Sequence, residues 1–253
     1  MSIVLAAHGT RSAAGRDCVE QIRRALQESL REPVRLGWVD VCGPHLADVL
    51  SEDDLVLPAF LGKGHHVSVD IPAAARGVPG ARVTPHLGAP LPGDPLLQAL
   101  SGRVHEAGGP WPTTIIGWAG STHAHSRGQT LQMAADLTRH WRGLGVRVEL
   151  ATPREVPEVL ADARRRGGGV GIASYLLAPG HFHSRLASSG ADAISAPLGD
   201  HPAIIEALAA LARGEEVPDQ GLQPAAMVAM KSEASRAASM FQDGLERATP
   251  LAG

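Results

Sequence analysis

The chain has 253 residues, enough for two domains of ordinary size. Its formal charge is −3, from 23 basic and 26 acidic residues. That balance leaves no electrostatic footprint for nucleic acid and no polybasic membrane anchor. Apolar residues make up 44% and aromatic residues only 3%, so a core must rest on Leu, Val, Ile and Ala.

No run of about 18 apolar residues occurs, so no transmembrane helix is expected. The start, Met1 to His8, lacks the basic region and apolar length of a signal peptide. Cys18 and Cys42 are too few for a disulfide framework and too far apart for a thiolate metal site. Reduced thiols in the cytoplasm are expected.

Residues 3–7 are a short apolar run ending at His8-Gly9-Thr10, which reads as a buried parallel strand. Residues 17–28 carry apolar positions at helical spacing. Residues 34–41 read as a second strand, 44–50 as the start of a short helix, and 54–61 as a third strand. A loop with Gly62, Gly64 and two histidines follows. Residues 83–87 read as a fourth strand, and 94–104 as a helix with Asp94 as acidic cap and Pro95 in its first turn. Alternating strands and helices imply a parallel sheet.

Residues 107–112 (AGGPWP) read as a linker, after which the pattern restarts. Residues 114–119 form a strand leading into Gly120-Ser121, and a helix over 128–141 follows. Residues 146–150 match the second strand, with Glu149 falling where Asp40 falls and Pro153 where Pro44 falls. Residues 169–177 match the third strand, and Ala178-Pro179-Gly180-His181 mirrors Gly62-Lys63-Gly64-His65. Gly88-Ala89-Pro90-Leu91 before Asp94-Pro95 is answered by Ala196-Pro197-Leu198-Gly199 before Asp200-His201-Pro202. Four echoes in the same order argue for an internal duplication. The tail is rich in Ala, Ser and charge; residues 225–247 can form a helix with Met227, Met230, Met240 and Leu245 near one side, a packing pattern.

Ligands of an open parallel sheet bind beyond the carboxyl ends of its strands. His8 ends the first strand there, Asp40 the second, and His65 and His66 follow the third. Imidazole suits divalent iron, cobalt, nickel and zinc, and a neutral histidine can accept a proton. Asp40 can equally cap the helix after it. His45, His105, His123, His125 and His140 read as loop or surface histidines.

On its motifs the sequence resembles the sirohydrochlorin chelatase (CbiX/SirB) family, the class II tetrapyrrole chelatases. Leu5-Ala6-Ala7-His8-Gly9-Thr10-Arg11 is similar to the family's opening strand and His-Gly-Ser-Arg signature, with Thr10 in place of Ser. The stretch from Leu57 to Pro72 is similar to its second signature: a Pro-x-Phe-Leu strand, a small loop, His66-Val67 and then Asp70-Ile71-Pro72. Gly37-Trp38-Val39-Asp40 before Pro44, and Gly88-Ala89-Pro90-Leu91 with Leu96-Leu97, resemble further segments. The likeness covers roughly residues 3–212 and is most specific in the first half.

The resemblance implies an α/β protein of two tandem flavodoxin-like domains with parallel sheets, residues 1–107 and 113–215, around a cleft, with 216–253 as a terminal helix or tail. It implies an enzyme inserting Fe2+ or Co2+, with Ni2+ a further candidate, into sirohydrochlorin or a related tetrapyrrole. His8 and His66 would be catalytic, and would hold the metal with Asp40. Arg11, Lys63, His65, Arg127 and Arg185 would bind substrate carboxylates. Ala119 and Phe182 stand where His8 and His66 stand in the first half, so the second half is expected to shape the cleft. No organic cofactor, nucleic acid or membrane is expected, and a monomer should suffice. A metal or tetrapyrrole carrier or sensor would use the same histidines. A hydrolase is the weaker alternative, because no nucleophile elbow appears.

Overall fold

A computed structural model describes residues 2–215, which lie in one compact unit; the helix expected within 225–247 lies outside them. The first half runs β1 (Ile3–Ala7), α1 (Ala13–Leu30), β2 (Val34–Trp38), α2 (Leu46–Val49) and β3 (Leu55–Pro58). A π-helical turn (His66–Asp70) then leads into α3 (Ile71–Arg76), β4 (Arg82–Val83) and α4 (Pro95–Glu106). The second half repeats it with β5 (Thr113–Gly117), α5 (Ala124–His140), β6 (Arg147–Ala151), α6 (Val156–Arg166), β7 (Val170–Ser174), α7 (His181–Ala187), β8 (Ala193–Ile194) and α8 (Pro202–Arg213). Each half holds a four-stranded parallel sheet, ordered β2-β1-β3-β4 and β6-β5-β7-β8. The chain is thus two tandem α/β units with one strand order.

Side chains alternate across a strand, and β1 shows what that achieves. Ile3, Leu5 and Ala7 join a core that also contains Ile116, Ala173 and Tyr175 of the second half. Val4 and Ala6 face the other way, into a smaller cluster with Leu46, Val56 and Ile71. The second sheet buries its outer face in a matching cluster of Ile115, Val156, Leu160 and Leu186. Both faces of both sheets are therefore covered, which parallel sheets require.

The shared core is closed by an exchange. Helix α4 of the first half packs against β7, and α8 of the second half packs against β3, α1 and α4. Polar bonds cross the same boundary: Arg103 donates to the Leu198 carbonyl at 3.1 Å and Gln129 to the Gly88 carbonyl at 2.8 Å.

Several expected boundaries shift, each for a local reason. Strand β2 stops at Trp38 instead of 41, because Val41 takes a left-handed conformation (φ 66°) that turns the chain. The expected strand over 83–87 shrinks to Arg82–Val83, since Pro85 has no N–H to donate. Asp94 does not cap α4 with its side chain; it is itself left-handed (φ 47°), and its carbonyl accepts from the Gln98 N–H. Helix α1 begins at Ala13, because the Ser12 hydroxyl accepts from the Gly15 N–H at 3.2 Å. Glu149 does not correspond to Asp40: it lies inside β6 opposite Ile115 and bonds Arg166, whereas Asp40 lies beyond the end of β2.

Candidate metal centre

Strand β1 delivers His8 to the carboxyl-end rim of the first sheet, and the next residue sets the geometry around it. Gly9 has φ +97°, and a Cβ there would stand 2.0 Å from the Asp40 carbonyl oxygen. Only glycine lets the loop after β2 lie that close. The His8 carbonyl then accepts the Asp40 N–H at 2.9 Å, which locks the two loops together. Beyond β3, the π-helical turn starts at His66 and brings its ring edge-on to His8, with centroids 4.7 Å apart. Phe60 lies 6.0 Å from the His66 ring and 6.5 Å from that of His8.

His8, Asp40 and His66 each offer a ligand atom, and these atoms all lie within 4.8 Å of one another. Among the described residues they are the one cluster of three or more such groups. The ring nitrogens are already sorted. His8 Nδ1 lies 3.0 Å from the Gly9 carbonyl, so it carries the proton and Nε2 keeps its lone pair. His66 Nδ1 donates to Asp70 at 2.6 Å, which likewise leaves Nε2 free. A carboxylate behind a ligand histidine fixes its tautomer and raises its basicity. Asp40 Oδ1 accepts the Val41 N–H at 2.7 Å, leaving Oδ2 open. Two imidazoles and a carboxylate suit a divalent first-row metal. His8 and Asp40 are exposed and His66 is half-buried, so an incoming ion can reach them.

Asp70 was present in the sequence motif but had no assigned role there. The turn that seats it four residues after His66 gives it one. Its other oxygen lies 3.6 Å from His65 Nε2, so His65 stands behind the cluster. Arg11, Lys63, Arg127 and Arg185 are exposed, and their side chains make no ion pair among the described residues.

His86 carried no signal in the sequence. It is buried (6% exposed), and its Nε2 has no partner. Desolvation pushes its pKa down to about 4, aided by the charges of His125 and Lys63, so the ring is neutral at ordinary pH. His183 points inward to the Ser174 hydroxyl at 3.0 Å, and burial lowers its pKa.

Hydrogen bonding aligns the second rim with the first. The Ala59 N–H donates to the Ala6 carbonyl, and the Tyr175 N–H to the Gly117 carbonyl. Counting on from those bonds, Ala119 takes the place of His8, and Gly120 (φ +86°) that of Gly9. Phe182 takes the place of His66. Neither of those two positions carries an imidazole, although His181 and His183 flank Phe182.

Fold and site together define a tandem parallel α/β protein with a histidine–carboxylate cluster on one rim. Residues 2–107 match the CbiX family model. No curated protein matches the chain. In fold, the chain is similar to SirB from Bacillus subtilis, solved with Fe3+ (TM-score 0.64, 19% identity, covering 84% of this chain and 94% of that one). It is also similar to CbiX, described as the terminal enzyme of siroheme biosynthesis in denitrifying bacteria (TM-score 0.63, 16% identity, 85% and 100%). A multi-domain Deinococcus radiodurans protein with structural similarity to chelatases matches at TM-score 0.61 and 22% identity, over 87% of this chain and 55% of that one.

Proposed function

We propose that the chain inserts a divalent metal, Fe2+ or Co2+ with Ni2+ as a further candidate, into sirohydrochlorin or a closely related tetrapyrrole. The observation that carries this reading is the His8–Asp40–His66 cluster, whose ligand atoms lie within 4.8 Å of one another on an open rim. The CbiX-type first half and the fold shared with SirB and CbiX support it.

Insertion requires that the metal shed water, that the ring be held against it, and that the two pyrrole N–H protons leave. His8 Nε2, His66 Nε2 and an Asp40 oxygen replace water on the incoming ion. As the ring nitrogens take the metal, each released imidazole accepts a pyrrole proton and passes it to solvent. Asp70 stabilises the imidazolium formed at His66. The substrate's carboxylates meet Arg11, Lys63, Arg127 and Arg185, with His65 at the edge. No organic cofactor enters this chemistry. One chain supplies both rims, so a monomer suffices, and the unpaired thiols of Cys18 and Cys42 fit the cytoplasm.

The test is direct. Purified protein is mixed with sirohydrochlorin and Fe2+ or Co2+ in competition, and loss of free-base absorption is followed. Catalysed insertion that His8→Ala abolishes supports the reading. Stoichiometric binding of metal or tetrapyrrole without turnover would make the chain a carrier or sensor instead.

A further inference from the structure

We infer that Phe182 is a substrate-stacking residue: the position that holds a ligand histidine on the first rim has become an aromatic platform on the second. The inference rests on the function proposed above and names the group that grips the flat substrate.

Four observations lead to it. Phe182 stands where His66 stands, counted from equivalent β-ladder bonds. It is 44% exposed, whereas every Trp, Tyr and other Phe among the described residues is buried or half-buried. Its ring meets that of His181 edge-on, with centroids 5.7 Å apart.

The loop leading to it also abuts the metal rim. A Cβ on Gly15 would stand 2.4 Å from the Pro179 carbonyl, and one on Gly180 would stand 3.6 Å from Thr10 Oγ1, two residues past His8. The charges around it have changed sign as well. The loop after β6 presents exposed Arg154 where the loop after β2 presents Asp40. The one carboxylate of that loop, the exposed Glu155, accepts through Oε2 from the Thr152 N–H and hydroxyl at 2.8 Å. Arg185 follows Phe182 by three residues on α7 and so shares its face.

An exposed ring on a rim that carries Arg154 and Arg185 suits a planar π-system edged with carboxylates better than it suits a metal ion. His183 is turned inward to Ser174, so Phe182 and His181 are the exposed rings at the start of α7.

The test compares Phe182→Ala, Phe182→Leu and Phe182→Trp with the unaltered chain, measuring KM for sirohydrochlorin, kcat, and Co2+ binding in the absence of tetrapyrrole. Stacking predicts a KM raised about tenfold in Phe182→Ala and nearly as much in Phe182→Leu. It also predicts kcat within about twofold, Co2+ binding unchanged, and KM restored in Phe182→Trp. Unchanged KM in Phe182→Ala, with insertion intact in the unaltered chain, overturns the stacking role and leaves the chelatase reading standing. Equal losses in all three variants, or lost Co2+ binding, would show a structural role and overturn it too. An unaltered chain that neither binds nor metallates sirohydrochlorin removes the function reading, and this one with it.

Discussion

At the rim of the first sheet stand His8, Asp40 and His66; at the equivalent rim of the second stand Ala119, Arg154 and Phe182. The two sheets share strand order, and a left-handed glycine follows the first strand in each. Shared strand order with divergent rim residues is what the proposed function asks of a scaffold whose two rims have separate tasks. The fold keeps whatever positions the loops, while the loop residues are free to change chemistry.

The sharpest way to break this division is to remove a ligand. His8→Ala and His66→Ala should each lower insertion by roughly 100-fold or more, measured by tetrapyrrole absorption. His65→Ala and His183→Ala should stay within about threefold, since one stands behind the cluster and the other faces Ser174. Full activity in His8→Ala would move the centre to the second rim.

Asp70→Asn probes the support behind His66. It should weaken Co2+ binding by about 10- to 100-fold while leaving thermal stability near that of the parent chain. Isothermal titration with Co2+ checks this, and unchanged affinity would reduce Asp70 to a surface carboxylate.

The paired glycines give a smaller and more selective contrast. Gly9→Ala should cost at least about 2 kcal/mol of stability and also weaken metal binding, because its Cβ meets the Asp40 carbonyl. Gly120→Ala, whose nearest neighbour is the Thr152 methyl at 3.1 Å, should cost about 1 kcal/mol and leave metal binding intact. Denaturant unfolding and Co2+ titration of both variants decide it.

The least visible effect is in pH. His86 has its pKa lowered to about 4 in the folded chain, so the unfolded chain binds its proton first as pH falls. Its contribution is present in full above about pH 6.5 and is lost as pH drops toward 4, by about 3 kcal/mol. His183 and His201 shift in the same direction, so the measurement is a difference. Between pH 7.5 and 4.5, His86→Gln should lose less stability than the parent by about that amount, and parallel curves would refute it.

Much of this was legible in the sequence. Apolar runs marked β1 and β3, and the repeated loops marked two tandem units. His8, Asp40 and His66 fell at three strand ends that one rim had to gather. What escaped depended on contacts far along the chain. The bond from His66 to Asp70 needs the π-helical turn, which periodicity does not report. The surroundings that set the His86 pKa include Gln129 and His125 of the other half. Glu149 was misplaced because the charge fell at a similar point in the string, while the ladder register put it inside a strand. The crossing of α4 and α8 left no trace, because an amphipathic helix shows which face is greasy and not whose sheet it covers.

That crossing has a consequence for how the molecule comes into being. While the first half emerges from the ribosome, its sheet lacks the lid that α8 will supply some hundred residues later, and α4 has no β7 to rest on. Maturation of the shared interior must therefore wait for α8. A chain cut in the 107–112 linker would yield two fragments with exposed apolar flanks, insoluble alone and able to complement each other when expressed together.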